Sequence, residues 1–338
     1  MKLCFISEAI GYGHVMRDIE IFKRLKKSGW SGEFITYGDS AEYLRKNKYP
    51  VHYAPTSVDL KESPEGLDLS KTFIENIRAK HLRSVKKISD ILNRSKPDLI
   101  VIDSSILGMI ATDLHMGFRN MPVVYITSGN DLGTFGGRML KTGIGVITKY
   151  VSKSSDLMLV PDIPLPYTLS EYNLEFFDNM KFIGPVSRFY GKKSAKKPEG
   201  VFVTTGKSGF TAQNFMKFID GTGEKILKPT ENTYDWLMLK SEVVIHHGGH
   251  GTAMEAALLG KPQIVIQQAG YAERIENGRK LEELGIAVLL DDKWVDEHVL
   301  KYAIEKAREK KKECARFSKL LTKYGGTGNA CKEIKKLL

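Results

Sequence analysis

Short runs of apolar, β-branched residues alternate along most of the chain with longer stretches whose apolar positions recur about every three or four residues. The runs are Lys2–Ser7, Glu33–Gly38, Val51–Ala54, Asp98–Asp103, Val123–Ser128, Leu157–Val160 and Lys181–Gly184. After a break come Val201–Gly206, Val243–His247, Gln263–Gln268 and Ala287–Leu290. Most are apolar throughout rather than at every second residue, the pattern of parallel strands covered on both faces. Between them Met16–Ser28, Ser70–Ser95, Thr252–Leu259, Ile275–Leu284 and Val295–Lys312 carry helical periodicity. Strands and helices alternating in this way predict an α/β fold of doubly wound, Rossmann-like sheets.

The break is Pro185–Gly200, where two prolines, Gly191 and the block Lys192, Lys193, Lys196 and Lys197 lie between one strand and the next. It predicts two domains, residues 1–186 and 200–316, joined by a linker at 187–199. The basic helical tail, 317–338, either follows the second domain or crosses back to the first. Between Gly206 and Val243 only Glu224–Lys228 reads as a short strand, so the second domain is expected to be shortened. A length of 338 residues suits two cores better than one.

Composition adds a location and a charge. No uninterrupted apolar stretch reaches the roughly 20 residues that a spanning helix needs. No secretory leader pattern precedes Lys2. Cys4, Cys314 and Cys331 are odd in number and lack metal-ligand spacing, as expected of reduced, inert thiols. The expected location is therefore cytoplasmic. The net charge of +11 points to polyanionic partners, and residues 296–338 alone hold twelve Lys and Arg against six Asp and Glu. No zinc-finger, RNP-like or helix-turn-helix pattern accompanies that charge, so nucleic acid is not an expected partner.

Ligands of doubly wound sheets bind at the carboxyl ends of the strands. The richest loop there is Val243-Val-Ile-His-His-Gly-Gly-His-Gly-Thr-Ala-Met-Glu-Ala256. A buried strand ends in His-His, Gly248, Gly249 and Gly251 allow close backbone approach, and a helix is expected to start near Thr252. Free N–H groups and the positive end of a helix dipole make that junction a diphosphate site. Thr252 is placed to cap the helix and donate to phosphate, and Glu255 to accept from ribose hydroxyls.

His246–Glu255, the following Ala-Ala-Leu-Leu-Gly-Lys-Pro-Gln-Ile-Val (256–265) and Asn277-Gly278 resemble the nucleotide-sugar signature of MurG-like glycosyltransferases of the GT-B fold. The resemblance is specific over about 243–290 and weaker, but colinear, over the N-terminal half. It implies two doubly wound domains facing a cleft. It also implies a donor diphosphate on His247, Gly248, Gly249, His250, Gly251 and Thr252, with the ribose on Glu255. The family's donor-sugar loop corresponds to Gln267–Arg274, which makes Gln268, Glu273 and Arg274 candidates. Arg274 departs from the family pattern of Asp-Gln or Gln-Gln.

The loop Ser7–Arg17 fails as a dinucleotide fingerprint, because Met16 stands at the third glycine position. It fits the acceptor-side loop of a MurG-like enzyme, with Gly11, Gly13 and His14 in the expected order and His14 as general base for an acceptor hydroxyl or as a phosphate ligand. Asp103 ends a strand at the same sheet edge and is the candidate partner that orients His14. Gly206-Lys207-Ser208 is not a Walker A motif, since the position that needs glycine is Val201. In the family this loop approaches the donor, so Lys207 and Ser208 are donor-site candidates. Asn130, after another strand, is an acceptor-side candidate. No Asp-x-Asp pair occurs, which predicts a metal-independent, inverting displacement with no cofactor beyond a UDP-sugar co-substrate.

The segment Phe135–Lys153 is apolar and rimmed by Arg138, Lys141, Lys149 and Lys153, a composition that suits peripheral contact with an anionic membrane at the inner face of the cell membrane. The leading expectation is transfer of a hexose or N-acetylhexosamine from a UDP-sugar to a hydroxyl or phosphate of a lipid-linked or small acceptor. Two alternatives share the fold: a UDP-GlcNAc 2-epimerase-like enzyme, and a non-catalytic nucleotide-sugar-binding subunit of a membrane glycosyltransferase.

Overall fold

The structure is a computed structural model that describes residues 1–9, 11–54, 62–63, 66–67, 80–116, 121–128, 138–170, 180–205, 213–267 and 272–338. Its strands are β1 (Lys2–Ser7), β2 (Ser31–Thr36), β3 (Val51–Tyr53), the small ladder of β4 (Glu62–Ser63) and β5 (Gly66–Leu67), β6 (Leu99–Asp103), β7 (Val123–Ile126), β8 (Leu157–Val160) and β9 (Met180–Phe182). The second half adds β10 (Val201–Val203), β11 (Ile226–Leu227), β12 (Val243–His246), β13 (Gln263–Gln267) and β14 (Ala287–Asp291). The strand order is β3-β2-β1-β6-β7-β8-β9 in one sheet and β11-β10-β12-β13-β14 in the other. Pairing within both sheets is parallel.

Uniform apolarity explains the layering. In β1, Leu3 and Phe5 join a core with Val15, Ile19 and Phe22 of the helix Gly13–Lys26. Cys4 and Ile6 point the other way, toward Ile88 and Met109 of the helices Lys80–Ser95 and Ile106–Met116. The second sheet repeats the plan. Val201, Val203, Val243 and Ile245 face Leu300 and Ile304, while Phe202 and Val244 face Phe189 and Met238.

Two chain segments bind the halves together. Ile163 and Leu169, which follow β8 of the first sheet, are buried in the second unit's core against Ala253, Met254 and Ala257. In the opposite direction, the C-terminal helix Thr327–Lys335 packs on the helix Gly13–Lys26 through Ala330, Cys331 and Ile334.

Several boundaries differ from the sequence expectation. The first helix starts at Gly13, three residues before Met16, and the helix after β12 starts at His250 with Gly249 as its cap. Thr252 is therefore not a cap but sits inside the first turn. The expected helix Val295–Lys312 is two helices, Glu297–Glu309 and Lys311–Leu321. The first is capped by Asp296, whose side chain accepts from the Val299 N–H at 2.8 Å. The short strand near Glu224–Lys228 is present as β11, paired with β10.

Candidate active site

Topology selects two positions. Strand order reverses between β1 and β6 in the first sheet and between β10 and β12 in the second, and such switch points open a crevice at the strands' carboxyl ends. His14 follows β1. Asp103 ends β6, in register with Ser7. The glycine loop follows β12. The two helices that leave these loops meet, and a Cβ on Gly251 would lie 3.9 Å from the Gly13 Cα. Two helix N-termini thus converge, and both direct backbone N–H groups and positive dipole ends toward the gap.

The first loop carries a charged network. His14 Nδ1 lies 2.7 Å from Asp103 Oδ1. Arg17, one helical turn beyond His14, grips the same carboxylate with Nε donating to Oδ2 at 2.6 Å and Nη2 donating to Oδ1 at 2.5 Å. Asp103 is fully buried. Burial opposes its charge, but the Arg17 guanidinium and then His14 override that and hold its carboxyl well below the usual range. Ser104 turns the chain directly after it in the left-handed region, at φ 57°, a backbone strain kept at the site.

Behind this pair, Asp18 is also fully buried, and Ser7 Oγ donates to its Oδ2 at 2.5 Å. Burial, followed by the nearby Asp103 charge, raises the Asp18 carboxyl well above its ordinary value. Gly11 and Gly13 lie on the turn into the helix, and Gly11 has φ 76°.

The second loop is built differently. Gly248 has φ 78°, and a Cβ there would fall 2.4 Å from the Arg274 carbonyl oxygen, so only glycine fits. Asn277 Nδ2 donates to the Gly248 carbonyl at 2.9 Å, and the Gly248 N–H donates to His246 Nδ1 at 2.9 Å. His246 Nε2 in turn lies 2.8 Å from Gln263 Oε1. Burial lowers its pKa to about 4, so His246 is a neutral brace under the loop.

His247 is also neutral, its pKa lowered to about 4 by burial and then by the charge of Arg274. Its Nδ1 faces the Ile266 carbonyl at 3.3 Å, which can only accept. Nε2 is therefore a lone-pair acceptor, and it is buried without a hydrogen-bond partner. The ring is not a cationic phosphate ligand. His250 is committed elsewhere too, with Nε2 3.2 Å from Asp162 Oδ2 in the segment after β8. Asp162 also accepts from the Ile163 and Leu169 N–H groups and from Thr168 Oγ1. What the loop offers an anion is its backbone, since the Gly249 cap has no side chain to occupy the first-turn N–H groups.

Glu255 is held by its own neighbours. Tyr234 OH donates to Oε2 at 2.9 Å, and the Arg188 guanidinium lies 3.7 Å from Oε1. Arg188 also pairs with Asp235 at 2.7 Å and stacks over the Tyr234 ring at 4.8 Å. Burial raises the Glu255 carboxyl above its ordinary value, against the charge of Arg188. Glu273 and Arg274 are half-buried on the helix Ala272–Glu283, where Arg274 packs beside Gly248 and His247.

Lys207, Ser208, Gln268 and Asn130 lie outside the described residues. Among the described residues, no group of three His, Cys, Asp or Glu side chains is placed to hold a metal ion, and no helix is long and apolar enough to cross a membrane. Sequence reasoning missed Arg17, Arg188, Tyr234 and Asp162. Arg17 alone carried a local signal, its i+3 spacing from His14.

Residues 186–334 match the glycosyltransferase family 28 C-terminal domain. A protein of Methanosarcina mazei named "Uncharacterized glycosyltransferase" is 27% identical over 92% of this chain and 91% of its own length. The UDP-N-acetylglucosamine–N-acetylmuramyl-(pentapeptide) pyrophosphoryl-undecaprenol N-acetylglucosamine transferase of Legionella pneumophila is 35% identical over 80 residues, 23% of this chain and 22% of that protein. Among solved structures, spinosyn rhamnosyltransferase SpnG complexed with thymidine diphosphate superimposes with a TM-score of 0.69 at 15% identity, covering 99% of this chain and 100% of that one. MurG of Acinetobacter baumannii does so with a TM-score of 0.64 at 14% identity, covering 99% of each chain. These two likenesses are of fold.

Proposed function

We propose that the chain is a glycosyltransferase of the GT-B, family 28 type and that it moves a hexose or N-acetylhexosamine from a UDP-sugar to a hydroxyl or phosphate of a lipid-linked or small acceptor, a reading supported by the family match and the relatives. The observation that carries this reading is the meeting of two helix N-termini at the two switch points, one beside His14–Asp103 and the other bare of side-chain caps. A diphosphate fits the second, and a reacting hydroxyl fits the first. The name of the Legionella relative and the thymidine diphosphate of the structural neighbour support a nucleoside diphosphate leaving group.

The chemistry follows as a single displacement. Asp103 engages Nδ1 of His14, so uptake of the acceptor proton falls to Nε2. The acceptor oxygen forms its bond to the anomeric carbon from the face opposite the leaving group, and configuration inverts. The bond between that carbon and the β-phosphate oxygen breaks, and the electron pair leaves with UDP. Backbone N–H groups from Gly249 to Thr252 and the helix dipole stabilise the departing charge without a metal ion. With Oε2 of Glu255 taken by Tyr234, Oε1 is the oxygen left for a ribose hydroxyl.

An acceptor anchored in an anionic leaflet suits the outer face of the first unit. There Leu82, Leu114 and Val146 are exposed on three helices, beside exposed Arg83, Lys86, Lys87, Lys149 and Lys153. The helix Arg138–Lys153 joins Ile106–Met116 through the Tyr150–Asp113 and Ser154–Asp113 hydrogen bonds.

Thermal-shift binding of UDP, GDP, dTDP and UDP-sugars, with and without Mg²⁺, tests the donor reading. Ligand at about 100 times its dissociation constant stabilises by roughly 2.7 kcal/mol. A UDP-selective shift that persists in EDTA and weakens in Glu255→Ala is the expected result. A shift that needs Mg²⁺, or none with any nucleotide, overturns the metal-free donor site. Cosedimentation with phosphatidylglycerol vesicles, lost in Leu82→Glu/Leu114→Glu, tests the membrane face, and equal binding of wild type and variant overturns it.

A further inference from the structure

We propose that Arg17 is a positioning residue that holds Asp103 oriented and neutralised whatever the state of His14, and so keeps His14 neutral in the resting protein. The inference rests on the reading of His14 as base, yet its central test does not.

A buried carboxylate needs a counter-charge. If His14 were the only one available, Asp103 would draw a proton onto the imidazole, and an imidazolium cannot accept the proton of an acceptor hydroxyl. Arg17 removes that demand. Its guanidinium is charged at every working pH. It meets both oxygens of Asp103, fork against fork, at 2.6 and 2.5 Å from a position that is 7% exposed. Nη2 of Arg17 is also 3.2 Å from His14 Nδ1, close enough to oppose a positive charge on the ring. His14 and Arg17 stand three residues apart on the helix Gly13–Lys26, so one helical face delivers both to Asp103.

The other groups around His14 leave this balance intact. Asp18, on the same helix, accepts from Ser7 Oγ at 2.5 Å, and burial followed by the nearby Asp103 charge raises its carboxyl well above its ordinary value, which weakens its claim on the guanidinium. Glu8, at the end of β1, accepts from the Ala9 N–H at 3.1 Å, and its own N–H donates to the Asp103 carbonyl at 3.0 Å. The facing helix brings Gly251 against Gly13, and its His250 is tied to Asp162. The pair Asp103 and Arg17 is thus neutral as a unit, and His14 meets the substrate uncharged. When the proton arrives, Asp103 is already aligned with Nδ1 to stabilise the imidazolium.

The test is an NMR titration of histidine imidazoles in wild type, Arg17→Met and Arg17→Lys, with the His14 signal identified by its loss in His14→Gln. An opposite charge within about 4–6 Å shifts a group by roughly 1–3 units. Arg17→Met is therefore expected to raise the His14 pKa by at least about one unit, and Arg17→Lys by less. The acid limb of kcat/KM moves up with it, so activity falls about tenfold or more at pH 6 and recovers in part at pH 8.5. An imidazole titration that stays put or moves down in folded Arg17→Met overturns the proposal. If the imidazole moves and the rate limb does not, the Arg17 proposal stands and His14 loses its role as base. Should Arg17→Met not fold, Arg17→Gln keeps donors without charge and is read the same way.

Discussion

The chain makes the same kind of junction twice, a buried strand running through glycines and histidines into a helix, and uses the two in opposite ways. After β1, one histidine is coupled to a buried carboxylate and a guanidinium. After β12, none of three histidines presents a charge to the cleft: His246 and His247 are kept neutral by burial, and His250 reaches across to Asp162. In the proposed reaction the first junction moves a proton, and the second presents bare backbone N–H groups to the leaving diphosphate. Residue type does not separate them. What separates them is the partner each histidine meets: His14 faces the strand-end carboxylate of Asp103, whereas His246 faces the Gln263 amide, His247 the Ile266 carbonyl, and His250 the Asp162 carboxylate beyond the loop.

The sharpest way to break this contrast is to delete one histidine from each junction. General bases contribute about 10²–10⁴-fold to rate, so His14→Ala is expected to lower kcat by that factor while nucleotide-induced thermal shifts persist. Asp103→Asn should follow it, since an amide cannot stabilise the imidazolium. His250→Ala should keep kcat within about tenfold. It should cost about 1–3 kcal/mol in chemical denaturation, because Asp162 is left short of a donor in a buried place. If His250→Ala slows turnover as much as His14→Ala, the two junctions share the chemistry and the contrast fails.

Gly248→Ala comes next. It combines a left-handed backbone, which costs a side-chain-bearing residue roughly 1–2 kcal/mol, with a methyl driven into the Arg274 carbonyl. A fall in nucleotide affinity of about tenfold or more is expected with the His14 titration unchanged, because the first junction does not depend on this turn. Gly11→Ala is its counterpart. Its Cβ meets nothing within 4 Å, so the cost there is the backbone term alone.

The two junctions differed in how openly the sequence displayed them. The parallel strands could be read from β-branched runs such as Val243–Ile245 and Leu99–Ile102, because burial on both faces removes polar alternation. The glycine loop was readable for a local reason: only glycine tolerates φ 78° with a carbonyl that close. The His14–Asp103 pairing was accessible once both were assigned to strand ends of one sheet. Arg17 escaped because the expected helix began at Met16, which left His14 in a loop. With the true start at Gly13, His14 and Arg17 share a face. Asp162 and Tyr234 had no local signal, since their partners are 88 and 21 residues away in sequence. The split at Lys310 passed unseen because neither glycine nor proline marks it.

Acid should weaken the second junction in a predictable sense. The folded chain keeps His246 and His247 neutral down to about pH 4, while their unfolded counterparts take up protons from about pH 6.5 downward. Depressed folded values mean that stability present above about pH 6.5 is lost as the pH falls through 4. Between pH 7 and pH 5 this amounts to about 2 kcal/mol for each ring. Asp18 acts in the opposite sense, because its raised value makes the folded form the better proton binder above about pH 4. Urea denaturation at the two pH values should therefore show a smaller acid loss in His246→Gln than in wild type. An equal loss would mean that His246 is not what makes the loop acid-sensitive.

The smallest effect asks how far the second junction depends on side chains at all. Tyr234 OH donates to Glu255 Oε2 at 2.9 Å and leaves Oε1 as the ribose-facing oxygen of the proposed site. In Tyr234→Phe the ring still packs edge-on against Phe202, 5.1 Å between centroids, and still lies under Arg188. The hydroxyl is lost, and with it the bond to Glu255 and the one it shares with Thr252. Glu255 then keeps Arg188 as its counter-charge but is free to rotate, and a single hydrogen bond of this kind is worth about 0.5–1.5 kcal/mol. The affinity for UDP should drop about three- to tenfold, by calorimetry, with kcat at saturating donor unchanged. If kcat falls as well, Tyr234 acts on the transition state, and the second junction does more than hold a nucleotide. If affinity does not change, Glu255 is fixed by Arg188 alone, and the backbone amides carry the donor with little side-chain help.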